Sequence, residues 1–304
     1  MSKNNKTVWI VIPTWNRRDD LIACLDSLKD VTYSPIQILV VDNDSQDGTF
    51  EAVSNQFPEV IINKLKKNIG ASAASNFGFD IALNGGADYI LRLDSDTIVS
   101  ANFLEPLVTI LEQNKDIGVV SPKIYYYEPA DLIWYAGVDA HPWHFGAIND
   151  MKNKRDNNIS CRSRDVDYVW GAAMLVRREV LEKTGGFDTD FFIYYEEVDF
   201  CKRVHMLGYR IHYIWESKIW HKVSSNNNNT FTAYNWNKSK IFLYRKHAQN
   251  IFHLLILIIY AFSYMIFDAI LFRLKIKKTS GNRGPILHAF RGFYDGLRHP
   301  LKQI

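Results

Sequence analysis

The chain has 304 residues, of which 47% are hydrophobic, 23% charged and 14% aromatic, as is ordinary for a globular protein. The net charge is only +3, but the chain from Lys238 onward is strongly basic. No nucleic-acid recognition motif accompanies these basic residues, so they favour an anionic surface as the partner and not nucleic acid. The three cysteines are an odd number, are widely spaced and form no Cys-x-x-Cys pair, so they indicate neither a disulfide framework nor a zinc site and fit a reducing cytosol.

Apolar runs and amphipathic segments alternate through the first hundred residues. The runs predict strands over 7–13, 36–41, 60–65 and 89–93, and the segments between them predict helices over 19–29, 49–57 and 71–83. Such an alternation, with connections of ordinary length, predicts a doubly wound, mostly parallel α/β sheet.

Candidate site residues lie at the carboxyl ends of three of these strands. They are Pro13, Trp15 and Arg17 after the first, Asp42, Asn43 and Asp44 after the second, and Asp94 and Asp96 after the fourth. The carboxyl ends of parallel strands meet at one edge of a sheet, so we expect one crevice to hold all three groups. The first two groups can contact a base and ribose, and the paired aspartates suit a divalent cation carrying a diphosphate. The alternative for the aspartates is a loop with a helix-capping Asp.

The second half begins with a predicted helix over 102–112 and a strand over 117–127. Residues 128–164 then show little periodicity, are too many for an ordinary connector and are too aromatic for a disordered segment. We therefore predict that 125–165 form a wall or lid of an acceptor site. Strands are predicted over 167–177 and 209–214, with a helix over 178–184 between them.

A cluster of acids opens another predicted helix. Acidic residues in a first helical turn stabilise the positive end of the helix dipole, but three of them are more than this effect explains. They are Glu196, Glu197 and Asp199. A sugar on a diphosphate, attacked by an acceptor hydroxyl, needs a carboxylate base within reach of the hydroxyl proton, and Glu197 is the first candidate.

The stretch 251–274 is apolar and reaches the roughly 20 residues that a bilayer core requires. Basic residues flank both of its ends, and a single span would put one basic flank on the wrong side. These features favour a helix, or a broken helix pair, in the cytoplasmic interface. A span, a re-entrant hairpin and a buried helix are the alternatives. We predict a catalytic domain over 1–230 and a basic, apolar tail over 231–304. The N-terminus lacks an apolar signal core, which predicts a cytoplasmic location on the inner face of the membrane.

An ordered set of motifs resembles the family 2 inverting glycosyltransferases with the GT-A fold, and among them the bacterial rhamnosyltransferase-type enzymes. The motifs are VIPTWNR, VVDNDSQDGT, NIGASAASNFG, LDSDT, GAAMLVRREVLEKTGGFDTDFFIYYEEVDF and the later WHK. The resemblance covers about residues 8–221.

The resemblance implies a role for each motif. Pro13, Trp15, Arg17 and the loop of Asp42, Asn43 and Asp44 would bind the nucleoside, and Asn68, Gly70 and Asn76 would line the donor pocket. Asp96 would bind Mg²⁺ or Mn²⁺, Asp94 would contact ribose or the metal, and His221 could complete the metal site. Glu197 stands where relatives usually have Asp, so Glu196 and Asp199 remain alternatives for the base. We expect Trp170 and Gly171 to contact the acceptor.

The expected reaction is metal-dependent, inverting transfer of a sugar, with rhamnose as the candidate, from a dTDP- or UDP-sugar. The acceptor would be a glycan or a polyprenyl-diphosphate-linked precursor at the cytoplasmic membrane surface. One alternative is a sugar nucleotidyltransferase, although no Gly-rich, basic triphosphate loop follows the first strand. The other is a non-catalytic, membrane-docked scaffold, against which the intact acidic motifs argue.

Overall fold

The computed structural model describes residues 5–148, 151–156, 162–223, 230–276 and 284–300. The chain divides into two compact units. The first comprises Met1–His141, Phe145–Thr189 and Glu197–Val223, and the second comprises Pro142–His144, Asp190–Glu196 and Ser224–Ile304. The expected division at residue 230 into a catalytic domain and a tail stays a prediction.

The first unit opens with strands and helices in alternation. They are β1 (Val8–Thr14), α1 (Arg18–Leu28), β2 (Ile36–Asp42), α2 (Thr49–Gln56), β3 (Ile61–Lys64), α3 (Ala71–Asn84) and β4 (Tyr89–Leu93). β1 pairs in parallel with both β2 and β4, and β2 pairs in parallel with β3. The register places Thr14 opposite Asp42. The carboxyl ends of β1, β2 and β4 therefore meet at one edge, as the sequence predicts.

The rest of the first unit completes the sheet. Its elements are β5 (Thr97–Val99), α4 (Leu104–Gln113), β6 (Ile117–Tyr126), β7 (Ile133–Tyr135), β8 (Asp139–Ala140), β9 (Ala147–Ile148), β10 (Arg164–Asp165), β11 (Ala173–Arg177), α5 (Arg178–Thr184), α6 (Glu196–Met206) and β12 (Arg210–His221). The ten-stranded sheet has the order β10-β12-β6-β11-β4-β1-β2-β3, with β5 on β12 and β7 on β6. Only within this second half do antiparallel strands enter, notably β11 between β4 and β6. The predicted doubly wound, mostly parallel α/β architecture is confirmed.

Close packing of α3 against the sheet holds the strand ends in place. A Cβ atom added to Gly78 would lie 2.3 Å from Cγ1 of Val11 and 3.1 Å from Cγ2 of Val41. Any side chain at position 78 would therefore push α3 away from β1 and β2. Cys24 and Cys201 are buried and free, and Cys161 lies outside the described residues.

The second unit contains three long helices, α7 (Thr230–His247), α8 (Ile251–Ile276) and α9 (Gly284–Arg298). α7 and α9 approach closely at glycine, because a Cβ atom on Gly292 would lie 2.1 Å from the carbonyl oxygen of Tyr234. Among the described residues, one helical stretch, Ile251–Ile270, is long and apolar enough to cross a membrane.

Candidate active site

The turn between β4 and β5 carries Asp94 and Asp96 at the carboxyl edge of the sheet. The main-chain N–H of Asp94 donates to the carbonyl of Ala172 at 2.9 Å, and that of Lys222 donates to the carbonyl of Asp96 at 2.8 Å. Thr97 Oγ1 donates to the carbonyl of Asp94 at 2.7 Å. Hydrogen bonds from two neighbouring segments therefore hold both aspartates in position.

His221 joins the two aspartates. It ends β12, and the pairing of β12 with β5 places it opposite Thr97. Its Nε2 lies 2.9 Å from Oδ1 of Asp96 and 3.9 Å from Oδ2 of Asp94. The sequence predicts a strand that ends at residue 214, whereas β12 continues to His221. That extension brings the imidazole to the carboxylates.

The Asp96–His221 pair is buried and polarised. Burial by itself would raise the pKa of Asp96, but the hydrogen bond and charge of His221 outweigh it and lower the pKa of that carboxyl. Burial would likewise lower the pKa of His221, but the hydrogen bond that its Nε2–H donates to the Asp96 carboxylate, together with that carboxylate's charge, raises the pKa above its ordinary value. Both pKa shifts favour an ionised Asp96 carboxylate that faces a protonated His221 imidazolium.

The three side chains fit a divalent cation. One ligand atom from each of Asp94, Asp96 and His221 lies within 4.8 Å of the others. Carboxylate oxygens suit Mg²⁺ and Mn²⁺, and an imidazole nitrogen is a ligand for several divalent transition metals. Among the described residues, His221 Nδ1 has no hydrogen-bond partner. The ring of Trp134, with its centroid 4.5 Å from that of the imidazole, packs against His221 instead.

Arg92 lies inside β4 and is 5% exposed. Its Nη1 is 2.7 Å from Oδ1 of Asp94, and it also donates to the carbonyl of Gly171. Arg92 therefore fixes Asp94 and links it to the residue that follows Trp170. This role of Arg92 is not among those predicted from the sequence, although an arginine in an otherwise apolar strand was the available signal.

The loops that follow β1 and β2 are tied to each other. Asn16, at a left-handed φ of 52°, accepts from the N–H of Gln46 at 2.7 Å and donates its own N–H to Ser45 Oγ at 2.9 Å. Asp42 is fully buried, and its Oδ1 accepts from the N–H of Ser45 at 2.8 Å. Among the described residues, Asp42 Oδ2 is buried without a hydrogen-bond partner. The candidate nucleoside residues Pro13, Trp15, Arg17, Asp42 and Asp44 thus belong to one connected loop pair.

Asn43 links this loop pair to the entrance of α3. Its Nδ2 donates to Asn68 Oδ1 at 3.0 Å and to the carbonyl of Gly70 at 3.2 Å. Its Oδ1 accepts from the N–H of Ile69 at 2.9 Å. Asn43, Asn68 and Gly70 are therefore brought together as a connected wall.

Asn76 faces a different part of the chain. Its side-chain amide donates to the carbonyl of Phe187 and accepts from the N–H of Phe187, each at 2.8 Å. Both ends of the amide are used within the protein. Its expected contact with the donor stays a prediction.

The three acids at the start of α6 have different surroundings. Asp199 is fully buried, and Arg203 Nε lies 2.8 Å from its Oδ2. Arg203 also donates to the carbonyls of Thr184 and Gly186, each at 2.7 Å. Asp199 therefore anchors a turn. Glu196 is buried.

Glu197 is half-buried and close to Gly171. A Cβ atom added to Gly171 would lie 3.2 Å from Arg92 Nη1 and 3.9 Å from the Cβ of Glu197. Gly171 therefore lies between Arg92, which holds Asp94, and the Cβ atom of Glu197. Tyr194 and Tyr195, just before α6, have φ values of 70° and 66°. Non-glycine residues rarely adopt this strained conformation, and such strain concentrates at functional sites.

An aromatic wall adjoins the imidazole of His221. The ring centroid of Trp134 lies 4.3 Å from that of Trp170 and 4.5 Å from that of His221. Lys152 Nζ lies 5.0 Å from the ring centroid of Trp170. Trp170 is among the acceptor residues predicted from the sequence. Trp134 and Lys152 are not, because residues 128–164 lack the periodicity that indicates which side chains face inward.

Comparisons with known proteins agree with this geometry. A family model described as glycosyl transferase family 2 matches residues 9–185. The N-acetylglucosaminyl-diphospho-decaprenol L-rhamnosyltransferase of Mycobacterium tuberculosis (strain CDC 1551 / Oshkosh) is 24% identical over 231 residues, covering 70% of this chain and 75% of that protein. The dTDP-rhamnosyl transferase RfbF of Shigella flexneri is 24% identical over 225 residues, covering 72% of this chain and 70% of that protein.

The fold is also found among solved structures. The crystal structure of GalNAc-T7 with UDP, GalNAc and Mn²⁺ matches with a TM-score of 0.65 at 15% identity. The match covers 82% of this chain but only 49% of that chain, so this protein spans about half the length of GalNAc-T7. At this identity the likeness shows the GT-A fold alone.

Proposed function

The chain belongs to glycosyl transferase family 2, and from this premise we propose that it is a metal-dependent, inverting transferase. It moves a sugar, with rhamnose as the first candidate, from a nucleoside diphosphate to a hydroxyl of a cell-surface glycan or its lipid-linked precursor. The observation that carries the proposal is the convergence of Asp94, Asp96 and His221 at the sheet edge, where ligands bind in open α/β folds. The names of two relatives support rhamnose as the sugar and dTDP as the carrier. The UDP in GalNAc-T7 keeps UDP as an alternative carrier.

We assign Asp96, His221 and Asp94 to the cation, and Arg92 to positioning Asp94. A Mg²⁺ or Mn²⁺ ion bound there would neutralise charge on the departing diphosphate. The Mn²⁺ in GalNAc-T7 supports that choice of ion.

The nucleoside is assigned to the connected loops after β1 and β2. Pro13, Arg17 and Asp44 flank the pocket, and Trp15, 45% exposed, offers a ring face for a base. The buried Oδ2 of Asp42 can accept a hydrogen bond from the ligand. Asn43, Asn68 and Gly70 shape the neighbouring wall through their own hydrogen bonds.

Glu197 is the proposed base. It takes the proton of the acceptor hydroxyl while the hydroxyl oxygen bonds to the anomeric carbon. The bond from that carbon to the diphosphate oxygen breaks on the opposite face, and its electron pair leaves with the diphosphate, so the anomeric configuration inverts. The ion pair of Asp199 with Arg203 argues against Asp199 as the base. Trp170 and Gly171 are proposed to face the acceptor.

We also propose that residues 1–230 form the catalytic domain on the cytoplasmic side. The tail of residues 231–304 would associate with the inner face of the membrane. The apolar stretch Ile251–Ile270 supports this proposal. The acceptor of the mycobacterial relative, which carries decaprenol according to that protein's name, also supports it.

Incubating the full chain with dTDP-rhamnose, UDP-sugars and Mn²⁺ tests the proposal. We expect release of nucleoside diphosphate from one donor, faster when a lipid-diphosphate sugar acceptor is added and absent with EDTA. Release that is unaffected by EDTA would contradict the metal dependence. Absence of release from every donor would overturn the transferase assignment.

A further inference from the structure

The aromatic wall beside the metal site has two partly exposed indole rings. Trp134 and Trp170 are both half-buried, and their ring centroids are 4.3 Å apart. Trp134 also contacts the ring of His221. Aromatic side chains with exposed faces, next to a few polar groups, are typical of ligand pockets.

Lys152 places a cation at the far end of this wall. Its Nζ lies 5.0 Å from the ring centroid of Trp170. Burial lowers the pKa of the Lys152 ammonium, and among the described residues no carboxylate opposes this effect. By contrast, the nearby Arg155 is paired with Asp131. A lysine that lies over an indole ring and has no carboxylate partner in the described part of the chain is suited to an anionic ligand.

We propose that Trp134, Trp170 and Lys152 form the acceptor subsite, in which the indole rings contact the acceptor sugar and Lys152 binds a phosphate attached to it. This inference rests on the proposed function. Two aromatic rings separate Lys152 from His221, so its cation lies apart from the group assigned to the donor diphosphate. The acceptor is therefore a sugar phosphate or sugar diphosphate and not a neutral glycan end.

Two acceptors that differ only in charge test the subsite. One is an N-acetylglucosaminyl diphosphate alkyl ester, and the other is the neutral alkyl glycoside of the same sugar. Lys152→Ala should raise the KM for the diphosphate acceptor about tenfold, the loss of one charge-assisted contact, and leave its kcat and the KM of the donor unchanged. Lys152→Arg should restore the KM. Lys154→Ala, an equal charge change at an exposed residue two positions away, is the matched control.

The outcomes separate this inference from the proposed function. An equal rise in KM for Lys152→Ala and Lys154→Ala, or an equal loss with the neutral glycoside, would overturn the phosphate contact. Metal-dependent hydrolysis of the donor without transfer to the diphosphate acceptor would also overturn it, while leaving the proposed metal-dependent use of the donor standing. Only loss of donor hydrolysis as well would count against the proposed function.

A second inference concerns α8, whose packed side is narrow. Leu257, Ala261 and Met265 are buried at intervals of four residues. Most of its other large apolar side chains are exposed, namely Ile251, Phe252, Leu255, Ile256, Ile259, Tyr260, Phe262, Tyr264, Ile266, Phe267 and Ile270. So large an exposed apolar surface marks an interaction site.

Contacts along the middle of α8 restrict its orientation in a bilayer. Lys240 Nζ lies 4.8 Å from the ring centroid of Tyr264 and 5.8 Å from that of Tyr260. Phe262 packs against Phe293, with ring centroids 5.7 Å apart. If α8 crossed a membrane with this unit intact, its midpoint would carry Lys240 and the basic helix α9 into the hydrocarbon, where charges are costly.

We infer that α8 lies parallel to the membrane surface, with its exposed apolar face in the lipid. This inference also rests on the proposed membrane association, although glycosyl transfer to a soluble acceptor does not require it.

Depth-dependent quenching tests the orientation. A fluorophore is attached to Ile251→Cys, Ile259→Cys or Phe267→Cys in a Cys161→Ser background, since Cys24 and Cys201 are buried. In phosphatidylglycerol–phosphatidylcholine vesicles, a shallow doxyl lipid should quench all three positions more than a deep one. Strongest deep quenching at Ile259 would indicate a span and overturn the inference. Failure to bind the vesicles would overturn it as well, and unchanged transfer to a soluble acceptor would leave the proposed function standing.

Discussion

The acids at the start of α6 allow a paired test of the catalytic base. Glu197→Gln removes a carboxylate but keeps its shape, at a half-buried position. Asp199→Asn makes the same chemical change at a fully buried position that is ion-paired with Arg203 at 2.8 Å. The two changes should therefore separate activity from stability.

The structure gives different magnitudes for the two variants. A general base contributes about 10²- to 10⁴-fold, so Glu197→Gln should lower kcat by that factor, about 3 to 5 kcal/mol. Its Tm should stay within about 2 °C of wild type, as for a substitution away from the core. Asp199→Asn leaves Arg203 buried opposite a neutral amide that still accepts its hydrogen bond. We estimate a loss of about 3 kcal/mol, or roughly 6 to 12 °C in Tm.

The assay measures nucleoside diphosphate release at a temperature where both variants are folded, together with thermal unfolding. We expect Asp199→Asn to keep kcat within about threefold of wild type, because the ion pair with Arg203 assigns Asp199 to anchoring a turn and not to proton transfer. If Asp199→Asn lost activity at an unchanged Tm while Glu197→Gln turned over normally, the assignment of the base would be refuted.

Three further predictions follow from the same geometry. Gly186→Ala should lower the free energy of unfolding, measured with denaturant, by about 2 to 3 kcal/mol, because φ is 77° and the new Cβ would lie 2.5 Å from Asn76 Oδ1. Gly185→Ala is the control: its φ is 70° but its Cβ would enter open space, so it should lower that free energy by only about 1 kcal/mol. Equal losses would contradict this. Asn76→Ala should lower stability by about 2 to 4 kcal/mol, because the main chain of Phe187 loses two hydrogen bonds. In calorimetry, a large loss of UDP affinity by the folded variant would support the predicted donor contact of Asn76, and an affinity within about twofold of wild type would count against that contact. EDTA should abolish transfer and excess Mn²⁺ should restore it, with His221→Ala raising the half-maximal Mn²⁺ concentration at least about tenfold; transfer that persists in EDTA would be the contrary result.

The sequence predicts those site residues that directly follow the ends of parallel strands. Asp42, Asp94 and Asp96 directly follow apolar runs, and parallel pairing brings the carboxyl ends of such runs to one edge. For these residues, the end of the apolar run in the sequence also gives the place in the fold, namely the carboxyl edge of the sheet. The site on β1, β2 and β4 could therefore be proposed without a structure.

Other residues of the site depend on pairings that sequence periodicity does not report. β11 enters between β4 and β6 in the antiparallel direction, and this topology brings Gly171 to Arg92. Trp134 and Lys152 lie in an aromatic segment without periodicity, so their position next to Trp170 results from tertiary packing alone. The positive φ values at Tyr194 and Tyr195 likewise have no signal in side-chain type.

Binding of Mn²⁺ to the purified chain in the presence of UDP or dTDP, followed by electron paramagnetic resonance, tests the central claim most directly. The ligand set of Asp94, Asp96 and His221 predicts one bound Mn²⁺ ion per chain in the wild type. It also predicts that Asp96→Asn loses the ion while the variant remains folded. Equal Mn²⁺ binding by Asp96→Asn and wild type would contradict the assignment of this site.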